Sequence, residues 1–320
     1  MNILEEIKDA ACVGITGHVR PDGDCLGSTL GLYNYLKVNR PDLSVDLYLE
    51  QPGAEFSYLT GIDEILHTPK NVAYDVFIVL DCGSIDRIEP FTQCFEQAKK
   101  TICIDHHISS QNNDFADINL VKPEASSASE VLYTTFDEDK VNKAVAECIY
   151  TGIIHDTGVF KYSCTSAKTM EIAGKMMEKG IAYSDIIDNS FYKKTYVQNQ
   201  ILGRALLESV LFYDGKCIFS NVTRDEMAFY GVTGKELGGI IEQLRLTDGV
   251  EVAIFLYETG DHEHKVSMRS KKQIDVAKIA AEFGGGGHVR AAGFTGKGTV
   301  YSIVNKIGEM IERQYVDMSQ

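Results

Sequence analysis

Positive charge is scarce in this chain. There are 31 Lys and Arg residues against 46 Asp and Glu, a formal net charge of −15. Long duplex nucleic acid is held chiefly by Lys and Arg neutralising phosphates, so it is excluded as a main partner. Small anionic substrates are not excluded, because bound metal ions supply positive charge locally. Paired cysteines are also missing. The eight cysteines, at positions 12, 25, 82, 94, 103, 148, 164 and 217, form no C-x-x-C and no zinc-finger spacing. Several sit inside apolar runs, and they read as reduced, mostly buried thiols. No apolar run approaches the ~20 residues of a membrane span. The first residues, Met1 to Lys8, carry acids where a secretory signal carries bases. These absences predict a soluble, cytoplasmic protein with no membrane partner. Internal repeats and low-complexity tracts are lacking too.

What is present is a chain of 320 residues, 44% apolar and 24% charged, long for one core and comfortable for two domains. Its first half alternates strand-like and helix-like segments. Val13–Thr16, Ser44–Leu49, Val76–Leu80 and Thr101–Ile104 read as strands. Two of them, Val76–Leu80 and Thr101–Ile104, are apolar runs of the kind covered on both faces of a sheet. Leu26 to Leu36 carries a helical apolar face, and Ser127-Ala128-Ser129-Glu130 reads as a capping box before helices near 128–136 and 140–154. The expectation is an α/β fold with a mostly parallel sheet and helices on both faces, in residues 1–187. Residues 188–212 read as a helical linker, overlapping a polar-rich stretch, 185–208. A smaller α/β domain is expected in 213–320, with strands near 216–222, 251–257 and 265–269 and helices at 274–283 and 301–313. Gly284 to Gly287 then reads as a helix stop followed by a loop.

The chemistry lies in four segments at strand or helix ends. Asp105-His106-His107 directly follows the Thr101–Ile104 strand. Burying an aspartate and two imidazoles is costly unless something compensates, and a divalent metal is the strongest candidate. The other three segments are His18-Val19-Arg20-Pro21-Asp22-Gly23-Asp24, then Asp81-Cys82-Gly83-Ser84, then His155-Asp156-Thr157-Gly158. Taken singly, Asp22-Gly23-Asp24 reads as a turn and helix cap, Asp81–Ser84 as a turn, and His155-Asp156 as a cap beside an exposed residue. Taken together, they bring enough carboxylates towards one sheet edge to repel one another strongly without cations. Mixed imidazole and carboxylate ligands suit manganese, magnesium, iron or zinc, and a pair of such ions is a standard device for phosphate-ester cleavage. In the C-terminal half, the glycine run can present backbone N–H groups to an anion, with His288 and Arg290 beside it. Arg269 offers a planar fork suited to phosphate.

The order His18, Asp22-Gly23-Asp24, Asp81, Asp105-His106-His107, Asp156 resembles the DHH phosphoesterase superfamily. Arg269-Ser270 followed by Gly284-Gly285-Gly286-Gly287-His288-Val289-Arg290-Ala291-Ala292-Gly293 resembles its DHHA1 domain. Length and two-domain layout look most like the group of short-oligonucleotide ribonucleases and pAp phosphatases, which also includes cyclic-di-AMP phosphodiesterases. The resemblance implies two divalent ions, usually Mn2+, in the N-terminal domain. His18, Asp22 and Asp81 would hold one ion. Asp24, Asp81, His106 and Asp156 would hold the other, with Asp81 shared, and His107 would contact the scissile phosphate. Arg269, Ser270, Gly286, Gly287, His288 and Arg290 would bind substrate, across a cleft between the two lobes. The implied partners are short single-stranded RNA or DNA oligonucleotides, linear dinucleotides such as pApA, and pAp, and a homodimer is a compatible assembly. A cyclic-di-AMP phosphodiesterase and a non-catalytic nucleotide-binding protein are the competing readings. Ser270-Lys271-Lys272-Gln273 also resembles a substrate-binding motif of family II pyrophosphatases. Those enzymes lack the glycine-rich segment and its histidine, so Lys271 and Lys272 are read as a solvated basic face.

Overall fold

The structure is a computed structural model that describes residues 1–107 and 114–318. It divides into two compact units, Met1–Lys193 and Lys194–Gln320. Among the described residues no helix is long and apolar enough to cross a membrane. All eight cysteines are free thiols, six of them buried.

The first unit is built on five parallel strands: β1 (Cys12–Thr16), β2 (Ser44–Tyr48), β3 (Val76–Leu80), β4 (Thr101–Asp105) and β5 (Ile118–Val121). Their order across the sheet is β2-β1-β3-β4-β5. Strand β3 shows why the centre of the sheet is apolar throughout. Val76, Ile78 and Leu80 face one core with Leu26, Leu30 and Ile149, while Phe77 and Val79 face a second with Tyr48, Phe91 and Phe95. The first face is covered by helices Gly23–Asn39, Ala128–Tyr133, Lys143–Asp156 and Ala167–Glu178. Among the described residues the second has only short helical cover, the turns Ile85–Ile88 and Thr92–Glu96. Strand order reverses between β1 and β3, and at such a switch point open α/β sheets leave a crevice beyond the carboxyl ends of the strands.

Two helices of the first face touch through glycine. A Cβ on Gly27 would lie 2.6 Å from both the Cys148 carbonyl oxygen and the Gly152 nitrogen. Those are backbone atoms that cannot step aside. Gly27→Ala is therefore expected to destabilise the protein by about 1–3 kcal/mol through overpacking, which outweighs the gain of ~1 kcal/mol in helix propensity. Gly174, in helix Ala167–Glu178, has nothing within 4 Å of such a Cβ, so Gly174→Ala should be neutral or stabilising. Urea midpoints of the two variants test this; equal shifts would refute the close approach.

The second unit carries a six-stranded mixed sheet: β6 (Val210–Phe212), β7 (Cys217–Val222), β8 (Val252–Gly260), β9 (Glu263–Ser270), β10 (Gly286–His288) and β11 (Ala291–Lys297). The order is β10-β11-β9-β8-β7-β6, and only β7 and β8 run parallel. Alternate residues supply two cores. Cys217, Val252, Ile254 and Met268 pack against helices Val276–Glu282 and Val300–Met318. Ile218, Ala253 and Phe255 pack against Tyr196–Leu207 and Ile240–Arg245.

Several local expectations change. The polar-rich stretch 185–208 is not one helix. The segment Ile187–Tyr192 winds as a π-helix, and Tyr196–Leu207 starts afresh with its own capping box at Thr195. Only half of the box expected at Ser127 forms. The Ser127 side chain accepts from the Glu130 N–H, but the Glu130 carboxylate takes Ser126 and Thr169 instead. The glycine run is more than a stop and a loop. Gly284 ends its helix with φ 74°, whereas Gly286–His288 is an edge strand joined to β11 by the two-residue turn Val289-Arg290.

Candidate metal centre

The ends of β1, β3 and β4 and two helix termini bring the predicted ligands together. Asp22 is the N-cap of helix Gly23–Asn39: one carboxylate oxygen accepts the Asp24 and Cys25 N–H groups, both at 3.1 Å. Its other oxygen lies 3.7 Å from His18 Nε2. His18 Nδ1 is 2.8 Å from the Val19 carbonyl. In the neutral ring that bond would take the proton and leave Nε2 bare, the form a metal requires. Asp24 occupies the first turn of the same helix and is fully buried. Its oxygens accept the Ala128 and Ser129 N–H groups at 2.6 and 3.0 Å, so the N-terminus of helix Ala128–Tyr133 holds the carboxylate in place.

Asp81, just past β3, stands at the middle. Its backbone has φ 52°, left-handed and costing ~1–3 kcal/mol. The buried side chains of β3 contribute about 1.5–3 kcal/mol each, so the sheet can hold that strain. One carboxylate oxygen is 3.4 Å from His18 Nε2. The other is 3.6 Å from both His106 Nε2 and His107 Nδ1. His106 Nε2 also lies 3.1 Å from Asp156 and 3.9 Å from Asp24. His107 is set apart: its Nδ1 sits 2.8 Å from the Asp105 carboxylate. Residues i and i+2 of an extended chain point the same way, which is how Asp105 reaches His107.

Asp156 arrives differently from the expectation. It is the last residue of helix Lys143–Asp156, not part of a loop after residue 154. A carboxylate there opposes the helix dipole. Three successive left-handed residues follow it, Gly158, Val159 and Phe160. Such a conformation is an outlier for valine and, like that of Asp81, clusters at the centre.

The electrostatics say what the cluster fits. Burial, then Asp81 and Asp156, push the Asp24 carboxyl well above the ordinary range. Burial raises Asp156 as well, against the pull of His106. The histidines rise too, which for an imidazole favours the charged form. Burial opposes the charge on His106, but Asp156 and Asp81 raise it to about 12. His18 rises to about 10 against burial, through Asp22 and Asp81. Oxygens of Asp24 and Asp156 lie within 4.8 Å of each other, a repulsion of roughly 3–4 kcal/mol at an effective dielectric of 20. Contacts of 3.6–3.9 Å from His106 to Asp81 and Asp24 are too long for hydrogen bonds, and the buried Asp81 Oδ1 has no hydrogen-bond partner among the described residues. Imidazole nitrogens and carboxylate oxygens at this density fit hard or borderline divalent cations. Two clusters share this centre, His18–Cys25–Asp81 and Asp24–His106–Asp156, with a third around Asp81, Asp105, His106 and His107.

The second unit gathers the remaining predicted residues around one hairpin. Arg269, near the end of β9, pairs in register with Ala291 of β11. Its Nε donates to Glu242 at 2.7 Å, and Arg245 donates to the same carboxylate at 2.8 Å. Burial would raise Glu242, but these two guanidinium groups hold it down. Ser270 is buried and donates to the Ile274 carbonyl. Arg290 Nη1 also donates to Ile274, at 2.8 Å. Gly286, Gly287 and His288 are exposed along the edge strand. Gly287 has φ 144°, and a Cβ there would strike the Ala291 carbonyl oxygen at 2.4 Å. Lys271 is not simply solvated, since its Nζ donates to the Thr247 carbonyl. Sequence reasoning missed Glu242, which lies 27 positions from Arg269 with no local signal. It also missed the Asp105–His107 bond, for which the i, i+2 spacing was a usable clue.

The chain matches the DHH family, N-terminal domain, over residues 12–153 and the DHHA1 domain over residues 214–314. It is 28% identical over 281 residues to the bifunctional oligoribonuclease and PAP phosphatase NrnA of Bacillus subtilis, spanning 86% of each chain. A protein of the same name from Thermus thermophilus is 27% identical over 305 residues, 93% of this chain and 89% of that one. Among solved structures, an exopolyphosphatase-related protein from Bacteroides fragilis has a TM-score of 0.87 at 26% identity, covering 99% of this chain and 96% of the other. The strand-end ligands, the glycine-bearing hairpin and these likenesses converge: the chain belongs to the DHH family of phosphoesterases, in the branch that carries a DHHA1 domain.

Proposed function

We propose that this chain is a divalent-metal-dependent phosphodiesterase and phosphatase acting on short single-stranded oligonucleotides, linear dinucleotides such as pApA, and pAp. The observation that carries the reading is Asp81, one oxygen towards His18 and the other towards His106 and His107. His18, Asp22 and Asp81 would hold one ion; Asp24, Asp81, His106 and Asp156 would hold a second, with manganese the expected metal. Two such ions lower the pKa of water and draw charge from phosphoryl oxygens. The protein's own groups do the positioning. Asp105 fixes His107 so that Nε2 is free to donate to a phosphate oxygen. It also raises the His107 pKa, against burial, and so favours the charged form that stabilises an anionic transition state. Substrate binding is assigned to Arg269, Ser270, Gly286, Gly287, His288 and Arg290. Glu242 aims the Arg269 fork, and Ser270 and Arg290 brace the hairpin through Ile274.

The relatives named as oligoribonuclease and PAP phosphatase over most of their length support this substrate class. The test is a panel: manganese-loaded protein incubated with short RNAs, pApA, pAp and cyclic-di-AMP, with products identified by mass. Hydrolysis of the linear substrates ahead of cyclic-di-AMP is expected. Preference for the cyclic compound would move the chain to the cyclic-dinucleotide reading, and no turnover of any would make it a binding protein. Arg269→Ala should raise KM roughly 10–100-fold, the worth of a lost charge-assisted bond, with bound manganese unchanged. Metal loss in that variant would refute the assignment of Arg269 to substrate.

A further inference from the structure

His155 follows the helix face that leads to Asp156, yet it has no place among the ligands above. Its ring lies where a side chain on residue 23 would project. A Cβ on Gly23 would fall 2.1 Å from His155 Cγ and 2.6 Å from its Cβ and Cδ2. Gly23 is the residue between Asp22 and Asp24, so the imidazole seats directly behind the turn that presents both carboxylates. Phe56 and Phe191 flank the ring, with centroids 5.1 and 5.4 Å away. His155 Nε2 is 3.1 Å from the Ser190 hydroxyl. That hydroxyl donates its one proton to the Ile186 carbonyl at 2.7 Å, so it accepts from the ring. Ser190 belongs to the π-helical segment Ile187–Tyr192, and single π-turns inside helices recur beside functional sites.

We infer that His155 is a positioning residue for the metal centre, a spacer that sets where Asp22 and Asp24 stand and is itself oriented by Ser190. The inference rests on Asp22, Asp24 and Asp156 being metal ligands. It involves no change of charge: His155 acts by its shape against Gly23 and by one hydrogen bond. An apolar side chain would fill the space between the two phenyl rings but would leave the ring plane unset. The hydrogen bond to Ser190 sets that plane, as outer groups do for ligands in metal sites generally.

The test uses Mn2+ alone, without substrate, titrated into the full-length protein and followed by the electron-paramagnetic signal of the free ion. His155→Ala should bind Mn2+ about 10–100-fold more weakly, the usual effect of removing an outer-shell partner. His155→Phe, which restores the bulk against Gly23 but not the hydrogen bond to Ser190, should bind more tightly than His155→Ala and about as weakly as Ser190→Ala. Ser190→Ala removes only the hydrogen bond and should weaken binding by about tenfold. Circular dichroism reports whether each variant is folded; if His155→Ala is not, Ser190→Ala and Gly23→Ala decide the matter, each expected to weaken binding. Folded variants that titrate like the wild type would overturn the inference while leaving the metal reading intact. A wild type that binds no Mn2+ would overturn both.

Discussion

Replacing Asp81 with alanine is expected to strip bound metal and abolish turnover of pApA. The effect should exceed that of any other single substitution, because Asp81 alone presents an oxygen to each side of the centre. One faces His18 at 3.4 Å, the other His106 at 3.6 Å. Burial works to raise this carboxyl, yet His106 and His18 hold it well below the usual range, so it is an anion before any cation arrives. Removing it would take the shared negative charge from both proposed ion sites at once. Losing several kcal/mol of metal-borne charge stabilisation corresponds to about 10⁴-fold or more in rate. Asp81→Asn keeps the volume and loses only the charge, so it should behave like the alanine variant if charge is what matters. Metal content by elemental analysis after manganese loading and desalting, paired with pApA turnover, reads both effects. Hydrolysis at the wild-type rate by metal-depleted Asp81→Ala would end the metal-dependent account.

Much of this centre was legible in the sequence, for a physical reason. Strands buried on both faces must be apolar at every position, so Val76–Leu80 and Thr101–Ile104 stand out, and a polar residue next in the chain has to lie at the sheet's carboxyl edge. His18, Asp81 and Asp105 were placed that way. Asp22 and Asp24 were legible too, since one residue can cap a helix with one oxygen and face a histidine with the other. Strand β5 was not read. It is only four residues long and half-buried along its whole length, so it offers no apolar run of the kind that marks β3 and β4. Asp156 was located correctly in the chain but on the wrong kind of element. A carboxylate ending a helix contradicts the dipole preference, and His106 at 3.1 Å offsets it.

What depended on distant partners stayed hidden. Nothing near Glu130 indicates that its carboxylate turns to Thr169 rather than back to its own cap. Nothing near Gly23 indicates that His155 fills its missing side chain. The glycine run reads in sequence as a helix stop and a loop, and the edge strand within it stays hidden. In the folded unit its glycines do separate jobs: Gly284 ends a helix, Gly285 passes close to Phe294, and Gly287 lets β10 meet β11. Close approach between backbones is a tertiary property, and a one-dimensional pattern records only that no side chain stands in the way.

His107→Ala is the complementary experiment, with turnover lost and metal retained. His106 and His107 are neighbours, and their rings lie 4.8 Å apart, but they face different partners. His106 Nε2 faces three carboxylates, those of Asp24, Asp81 and Asp156. His107 turns its Nδ1 to Asp105, which leaves the opposite nitrogen for substrate. Loss of one preorganised donor to a developing oxyanion typically costs about 10²–10³-fold in kcat, so pApA hydrolysis should fall by that factor while manganese stoichiometry stays at the wild-type value. His106→Ala should instead lose both metal and activity. Asp105→Asn provides the finer comparison. It keeps a hydrogen-bond acceptor for Nδ1 but removes the charge that favours the imidazolium, so its kcat should fall by less than that of His107→Ala, again with metal in place. If His107→Ala lost its manganese as completely as His106→Ala, the two histidines would share one role, and the assignment of His107 to the phosphate would fail.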